Sequence, residues 1–291
     1  MVQDRSFGSR MFDTVNHAVL LVFALLTVLP FIYVIAVSFS SPEEVARRGF
    51  ILFPTEFSLG AYRYIFSTVT LMRSLGISIY ITVLGTLINL VCTALMAYPL
   101  SKPHLKFRKG LLLMVLFTML FSGGMIPTYF IVKGVGLTNT LWALMIPNAI
   151  SAFNLIVLKN FFQQIPEGVE ESAKMDGAND LTVLLRIVIP LSLPAMATLS
   201  LFYAVGHWNT FFNAILYIND PNQWPLQVML REIVILAQDD FGYSNEIDAA
   251  DYHPITIRMA VIVFATVPIL LVYPFLQKHF AKGALLGSIK G

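Results

Sequence analysis

Charge is what this chain has least of. Asp, Glu, Lys and Arg make up 12% of its 291 residues, and 57% are hydrophobic. An ordinary soluble domain carries about 25% charged residues, so a water-solvated globule is excluded and lipid is the main solvent. A net charge of +2 is too small to draw nucleic acid; what matters is where the charges sit. The single cysteine, Cys92, lies inside an apolar run, which excludes an intramolecular disulfide and a thiolate metal site. No G-x-x-x-x-G-K-[ST] loop occurs, so the chain does not bind ATP by that route. The absence of H-E-x-x-H, G-x-S-x-G and paired intramembrane aspartates argues against an intramembrane hydrolase. A proton relay would need buried Asp, Glu or Lys in the spans, and none is expected there; Arg258 stands at the start of the last apolar run, where a long side chain can snorkel to the headgroups. There is no internal repeat and no low-complexity linker, which points to one membrane domain.

What is present is a set of long apolar runs. A bilayer core takes about 20 apolar residues in a helix. Six segments qualify, near 17–39, 75–98, 111–133, 138–160, 187–208 and 256–277. The expected fold is an all-α integral membrane protein with six transmembrane helices, in which 1–16 is a cytoplasmic N-terminal segment and 17–283 the spanning domain. The first run is too long for a signal-peptide core and has no small-residue cleavage site after it, so it is read as a retained span. The loop "SKPHLKFRKG" holds Lys102, Lys106, Arg108 and Lys109 with no acid, which places it in the cytoplasm. Alternation then puts both termini and the loop 163–186 inside, with 40–74 and 209–255 outside. The tail agrees, carrying Lys278, Lys282 and Lys290. The outer loop 209–255 has seven acids against Arg231 alone and is longer than a simple connection needs.

The polar stretch "EGVEESAKMDGAND", residues 167–180, stands between two apolar runs. Pro166 suits a first helical position, and Glu167, Glu170 and Glu171 follow near the positive end of the helix dipole. Glu170 and Lys174 are spaced for an i,i+4 pair. Gly177 can take the left-handed conformation that stops a helix, and Asn179 or Asp180 can cap the next one. The expected product is a short helix, a sharp turn and a second helix standing off the membrane face. Ser172, Ala173, Gly177 and Ala178 are small enough to let another protein approach the backbone.

At these residues the chain resembles a known family. Glu171-Ser172-Ala173, three residues, Gly177, nine residues, then Ile187-Val188-Ile189-Pro190 is similar to the EAA loop of ABC-importer permeases, E-A-A, three residues, G, nine residues, I-x-L-P. The departures are Ser172 for Ala and Ile189 for Leu. "KMDGA", "HWNTFF" and the terminal "LLGSIKG" add to the likeness, which points to the carbohydrate-uptake, maltose-permease-like, type I branch, runs over nearly the whole chain and is strongest from about 75 to the end, with a family core near 75–277. The resemblance implies a coupling helix made by Glu170, Glu171, Ser172, Ala173, Asp176, Gly177 and Ala178, seated in a cleft of a cytoplasmic ATPase. It implies a second six-span permease, two ATPase subunits that hold the ATP and Mg, and an extracytoplasmic sugar-binding protein approached by the outer loop. It also implies that the tail 284–291 reaches the ATPases through Gly287 and Ile289. The tail is too short and glycine-rich to form a stable helix alone; Gly287 with Gly291 would permit an extended backbone against the ATPases, and the alternative is a frayed end lying on lipid headgroups through Lys282 and Lys290.

Candidates for the transport path come from the residues. Gly123, Gly124 and Pro127 in "FSGGMIPTYF" can break the third span, and broken helices often line substrate cavities, although small residues also serve close helix packing. Asn89, Asn148 and Asn154 are amides that lipid would leave unsatisfied, so they should face the bundle interior, as helix bridges or as sugar contacts. His207 reads as a satisfied packing residue. Trp208, Asn209 and Phe212, with Phe211 and Tyr217, cluster where the fifth span leaves the membrane, as an interfacial belt or as a gate. The stretches "GMIPTYF" and "HWNTFFNAILYINDPNQWPLQ" look closest to permeases for oligosaccharides, including uronic-acid polymers. A membrane scaffold or sensor using the same loop for a signalling partner is the alternative. It would need no transport path.

Overall fold

The computed structural model describes residues 7–235 and 253–287. Among them all regular structure is helical, apart from one isolated antiparallel bridge between Ser40 and Phe57. The helices are α1 (Phe7–Ser38), α2 (Pro42–Arg47), α3 (Gly60–Ser67), α4 (Val69–Ser101), α5 (Arg108–Leu120), α6 (Met125–Gly134), α7 (Ala152–Phe162), α8 (Glu167–Met175), α9 (Asp180–Val183), α10 (Ile189–Leu191), α11 (Leu193–Trp208), α12 (Phe212–Tyr217), α13 (Leu226–Ile235) and α14 (Pro254–Gly287). The chain divides into two compact units, one of residues 1–69 and 232–266, the other of 70–231 and 267–291.

In the first unit α1 leaves its apolar side chains exposed over most of its length; Phe23 is 67% and Leu26 65% exposed. A helix apolar on every side is at home in lipid. It starts at Phe7, well inside the segment read as a separate polar N-terminus. Its far end packs Ala36 and Val37 on Ile51, with Met259 alongside. The following turn is organised by Glu44, a buried residue of α2. Its carboxylate accepts from the Thr55 N–H (3.0 Å), the Thr55 hydroxyl (2.7 Å), the Glu56 N–H (3.0 Å) and Arg48 Nη1 (3.1 Å). The N–H groups of Thr55 and then Glu56 hold its pKa below the ordinary glutamate value. A depressed carboxylate stabilises above its unfolded-chain value, about 4.3, and loses that contribution as pH falls through the lower folded value. Amide protection at Thr55 and Glu56 is therefore expected to hold at neutral pH and to fall on acidification below about pH 4. Glu44→Gln should show low protection already at neutral pH, and equal protection in both proteins would refute this account of the turn.

The second unit holds two apolar clusters. One joins Ala97 and Leu100 of α4 to Leu158 and Phe162 of α7 and to Val183, Val188 and Leu199. The other joins Ile81 of α4 to Val132, Met145, Ala214 and Ile218. The expected spans are modified in ways that matter for the site. Among the described residues three helices are long and apolar enough to cross a membrane, or five if each of two bent pairs is one crossing. The third expected span breaks after Leu120, and α6 leaves at 117° to α5. Gly124 sits at the break with φ +86°, a conformation glycine takes without a Cβ clash. The fourth expected span is not one helix. It is a 3₁₀ turn at Leu141–Leu144, irregular chain through Asn148, and the 11-residue α7. Pro147 lacks an N–H and disfavours helix in the residue before it, while Ser151 caps α7. The fifth starts earlier than expected, at Asp180, passes through a π-helical stretch (Leu184–Val188), and bends by 85° between Leu191 and Leu193. The sixth continues to Gly287, so the tail is helical to that point rather than extended. It prolongs an existing helix, and nucleation, the costly step, has already been met.

Candidate functional site

The loop between α7 and α11 is built by local rules. α8 ends at Asp176, and Gly177 takes φ +87°. The Ala178 N–H donates to Ala173 O and the Gly177 N–H to Lys174 O, both at 3.0 Å, which is the paired bonding of a Schellman turn. Asn179, not Asp180, caps α9, its Oδ1 accepting from the Thr182 N–H at 2.8 Å. Lys174 pairs across the turn with Asp180 at 2.7 Å, and this bond raises the Lys174 pKa. The expected Glu170–Lys174 pair is replaced. Glu170 is 6% exposed and turns inward, where Lys102 forms an ion pair with its carboxylate and the Tyr98 hydroxyl donates to it at 3.3 Å. Ala173 and Ala178 pack against the chain's own apolar cluster instead of standing off for a partner. Glu171, Ser172, Asp176 and Gly177 remain exposed, and Met175 is 89% exposed.

A cavity of about 430 Å³ opens where α4, α7 and α11 meet the irregular chain after the 3₁₀ turn. Asn89, Asn148, Asn154, His207, Asn213 and Tyr203 line it, with the rings of Phe153 and Phe202. Among the described residues none of its lining is Asp, Glu, Lys or Arg. Asn89 Nδ2 donates to Asn148 O at 2.7 Å, and His207 Nε2 lies 2.8 Å from Asn89 Oδ1. An amide oxygen only accepts, so the imidazole carries its proton on Nε2. Tyr203 Oη lies 2.7 Å from Thr93 Oγ1 and accepts from the Ser151 N–H at 3.1 Å. Tyr203→Phe leaves both partners unpaired at a cost of about 1–3 kcal/mol. A lower melting temperature in detergent is expected, and an unchanged one would contradict the bridging role.

A second cavity, of about 240 Å³, is lined by Gly124, Thr128, Phe212 and Tyr217 and shares Asn148 and Asn213 with the first. The structure thus brings together Gly124, Asn148, Asn154 and Phe212 from the sequence candidates. It leaves out Gly123 and Pro127, the buried Trp208, and Asn209, whose side chain donates to Val205 O at 2.9 Å. Asn89 bridges α4 to His207 of α11 and to the irregular chain at Asn148, and both Asn89 and His207 also line the cavity. Tyr203, Ser151 and Asn213 escaped the sequence reading. Asn209 and Asn213 are four apart, but the chain leaves the helix between Trp208 and Phe212, so helical spacing does not relate them. Gly287 lies in α14, and Ile289 falls outside the described residues.

The loop and the cavity sit on a chain whose residues 74–285 match the family described as "Binding-protein-dependent transport system inner membrane component". The chain belongs to this family. As such a component it works in transport, and its long apolar helices fit a multi-pass membrane protein. It is 58% identical over 97% of its length, and 99% of the relative's, to the polygalacturonan/rhamnogalacturonan transport system permease protein YtcP of Bacillus subtilis. It is 55% identical to the protein LplC of the same organism, over 98% and 96% of the two chains. A chain in the crystal structure of a bacterial ABC transporter involved in import of the acidic polysaccharide alginate superposes with a TM-score of 0.91. That chain is 33% identical and is covered completely, by 96% of this one. The all-helical type I ABC permease fold follows from this match.

Proposed function

We propose that the chain is one permease subunit of an ATP-driven, binding-protein-dependent importer of acidic oligosaccharides, of the polygalacturonan or rhamnogalacturonan class. The observation that carries this reading is the end-to-end identity with a permease named for those polymers. The alginate importer likeness supports an acidic oligosaccharide as cargo. The polar cavity supports a transport path, which a scaffold would not need. Its amides and the Tyr203 hydroxyl suit sugar hydroxyls, and Phe153 and Phe202 offer faces for a pyranose ring.

In this reading the polypeptide crosses the membrane six times with both termini cytoplasmic, the irregular chain around Asn148 being tolerated at membrane depth because it lines a cavity. The exposed face of α8 and the turn after it, with Glu171, Ser172, Asp176 and Gly177, docks on a cytoplasmic ATPase that holds ATP and Mg. A second permease completes the path, two ATPase subunits drive it, the binding protein docks on 209–255, and the end of the tail, including Ile289, reaches the ATPases. The test is a purified complex in proteoliposomes. Binding protein loaded with oligogalacturonide is expected to stimulate ATP hydrolysis and uptake, and maltose is expected to do neither. No response to any acidic oligosaccharide from an intact complex would refute the substrate class.

A further inference from the structure

Glu170 is a carboxylate and the one buried residue of α8. Such a group is kept only with charged and hydrogen-bonding partners, since desolvation alone costs several kcal/mol. Its partners come from the end of α4. Lys102 forms the ion pair, Tyr98 donates its hydroxyl, and Lys102 Nζ lies 4.6 Å from the Tyr98 ring centroid. The same end of α4 is tethered twice more: Arg108 Nε donates to Leu100 O at 2.8 Å and Gln163 Nε2 to Ser101 O at 3.3 Å. These two bonds satisfy helix-terminal carbonyls, as any buried helix end requires. The Glu170 contact has no such local reason.

α4 is continuous from Val69 to Ser101 and carries Asn89 at the cavity, with Gly85 against His207 and Thr93 bonded to Tyr203, two residues of the cavity lining. At 1.5 Å per residue, roughly 20 Å of helix separates Asn89 from Lys102. A displacement of α8 can reach the cavity by two routes. One runs along the chain, through the Gly177 turn and the Lys174–Asp180 pair into α9 and on to α11. The other crosses from Glu170 to Lys102 and runs up α4. Both end where α4 and α11 meet, at the Asn89–His207 and Thr93–Tyr203 contacts. Driving α11 without α4 would shear those contacts.

We propose that the Glu170–Lys102 pair is a latch that makes α4 and α11 move together when α8 is displaced, so that an ATPase event reaches the cavity. Both are positioning residues, and the proposal rests on the reading of α8 as the ATPase-docking helix. It is tested on the full complex in a Cys92→Ser background, with Asn213→Cys reporting cavity accessibility to a maleimide. With the latch intact, ATP plus vanadate is expected to change the labelling rate by roughly fivefold or more, the scale of an ordinary coupling energy. In Lys102→Met and Glu170→Gln that change should shrink to less than about twofold per assembled complex. Lys102→Arg should retain it, and the exchange Lys102→Glu with Glu170→Lys should recover most of it. A merely structural pair would lower the amount of complex and leave the nucleotide response per complex intact. A full response in both single variants overturns the latch. No response even with the latch intact overturns the docking reading of α8, and the latch with it.

Discussion

Gly85→Ala is expected to cut uptake by tenfold or more while leaving membrane insertion intact. A Cβ at Gly85 would lie 2.6 Å from His207 Nε2, 2.7 Å from Cε1 and 2.9 Å from Cδ2. Real Cβ atoms do not approach that closely, so the imidazole must move. His207 is buried, and its Nε2 is the donor to Asn89 Oδ1, whose other end holds Asn148 O. The added methyl therefore acts on α4, α11 and the cavity lining at once. Overpacking of this kind costs about 1–3 kcal/mol, and each 1.4 kcal/mol is about tenfold in an equilibrium. Gly76→Ala is the matched control, because that glycine lies on the same helix with nothing within 4 Å of its Cβ position, and it should be neutral. Pairing Gly85→Ala with His207→Ser removes the clash and should recover part of the uptake. Uptake by Gly85→Ala equal to that of the unaltered protein would sink the claim that this contact shapes the path.

Gly177→Asp should uncouple transport through the backbone rather than through packing. Nothing lies within 4 Å of a Cβ built on Gly177, but its φ is +87°. An L-residue held there costs roughly 1–2 kcal/mol, and Asp adds a third carboxylate to a turn that already has Asp176 and Asp180. The turn carries the two Schellman bonds that hold α8 against α9. Asn tolerates the left-handed region far better, so Gly177→Asn should retain most uptake and Gly177→Val the least, with all three inserting normally. The order Asn, then Asp, then Val is the signature of a conformational cause. Uptake by Gly177→Asp at the unaltered level, at equal protein in the membrane, would remove the basis for treating this turn as the transmitter.

The parts of this protein legible without coordinates are those set by neighbours in the chain. Low charge and long apolar runs already placed it in lipid, because solvation depends on composition over about 20 residues. The turn at Gly177 and the cap at Asn179 were readable because each depends on a few backbone torsions and bonds three to five residues away. Gly124, before Pro127, signalled the break in the third span for the same reason. What the tertiary structure decided are pairings whose members lie far apart: Asn89 with His207, Thr93 with Tyr203, Lys102 with Glu170. Helical spacing assigned Glu170 to Lys174, yet burial handed it to Lys102 and left Lys174 to Asp180. The fourth apolar run looked long enough to span, but Pro147 and Ser151 in their folded setting made it a turn and a short helix around a cavity. An apolar run records which solvent a segment prefers. How helices cross, and which polar groups must then find one another, is settled only when the bundle closes and each buried donor and acceptor has to be matched.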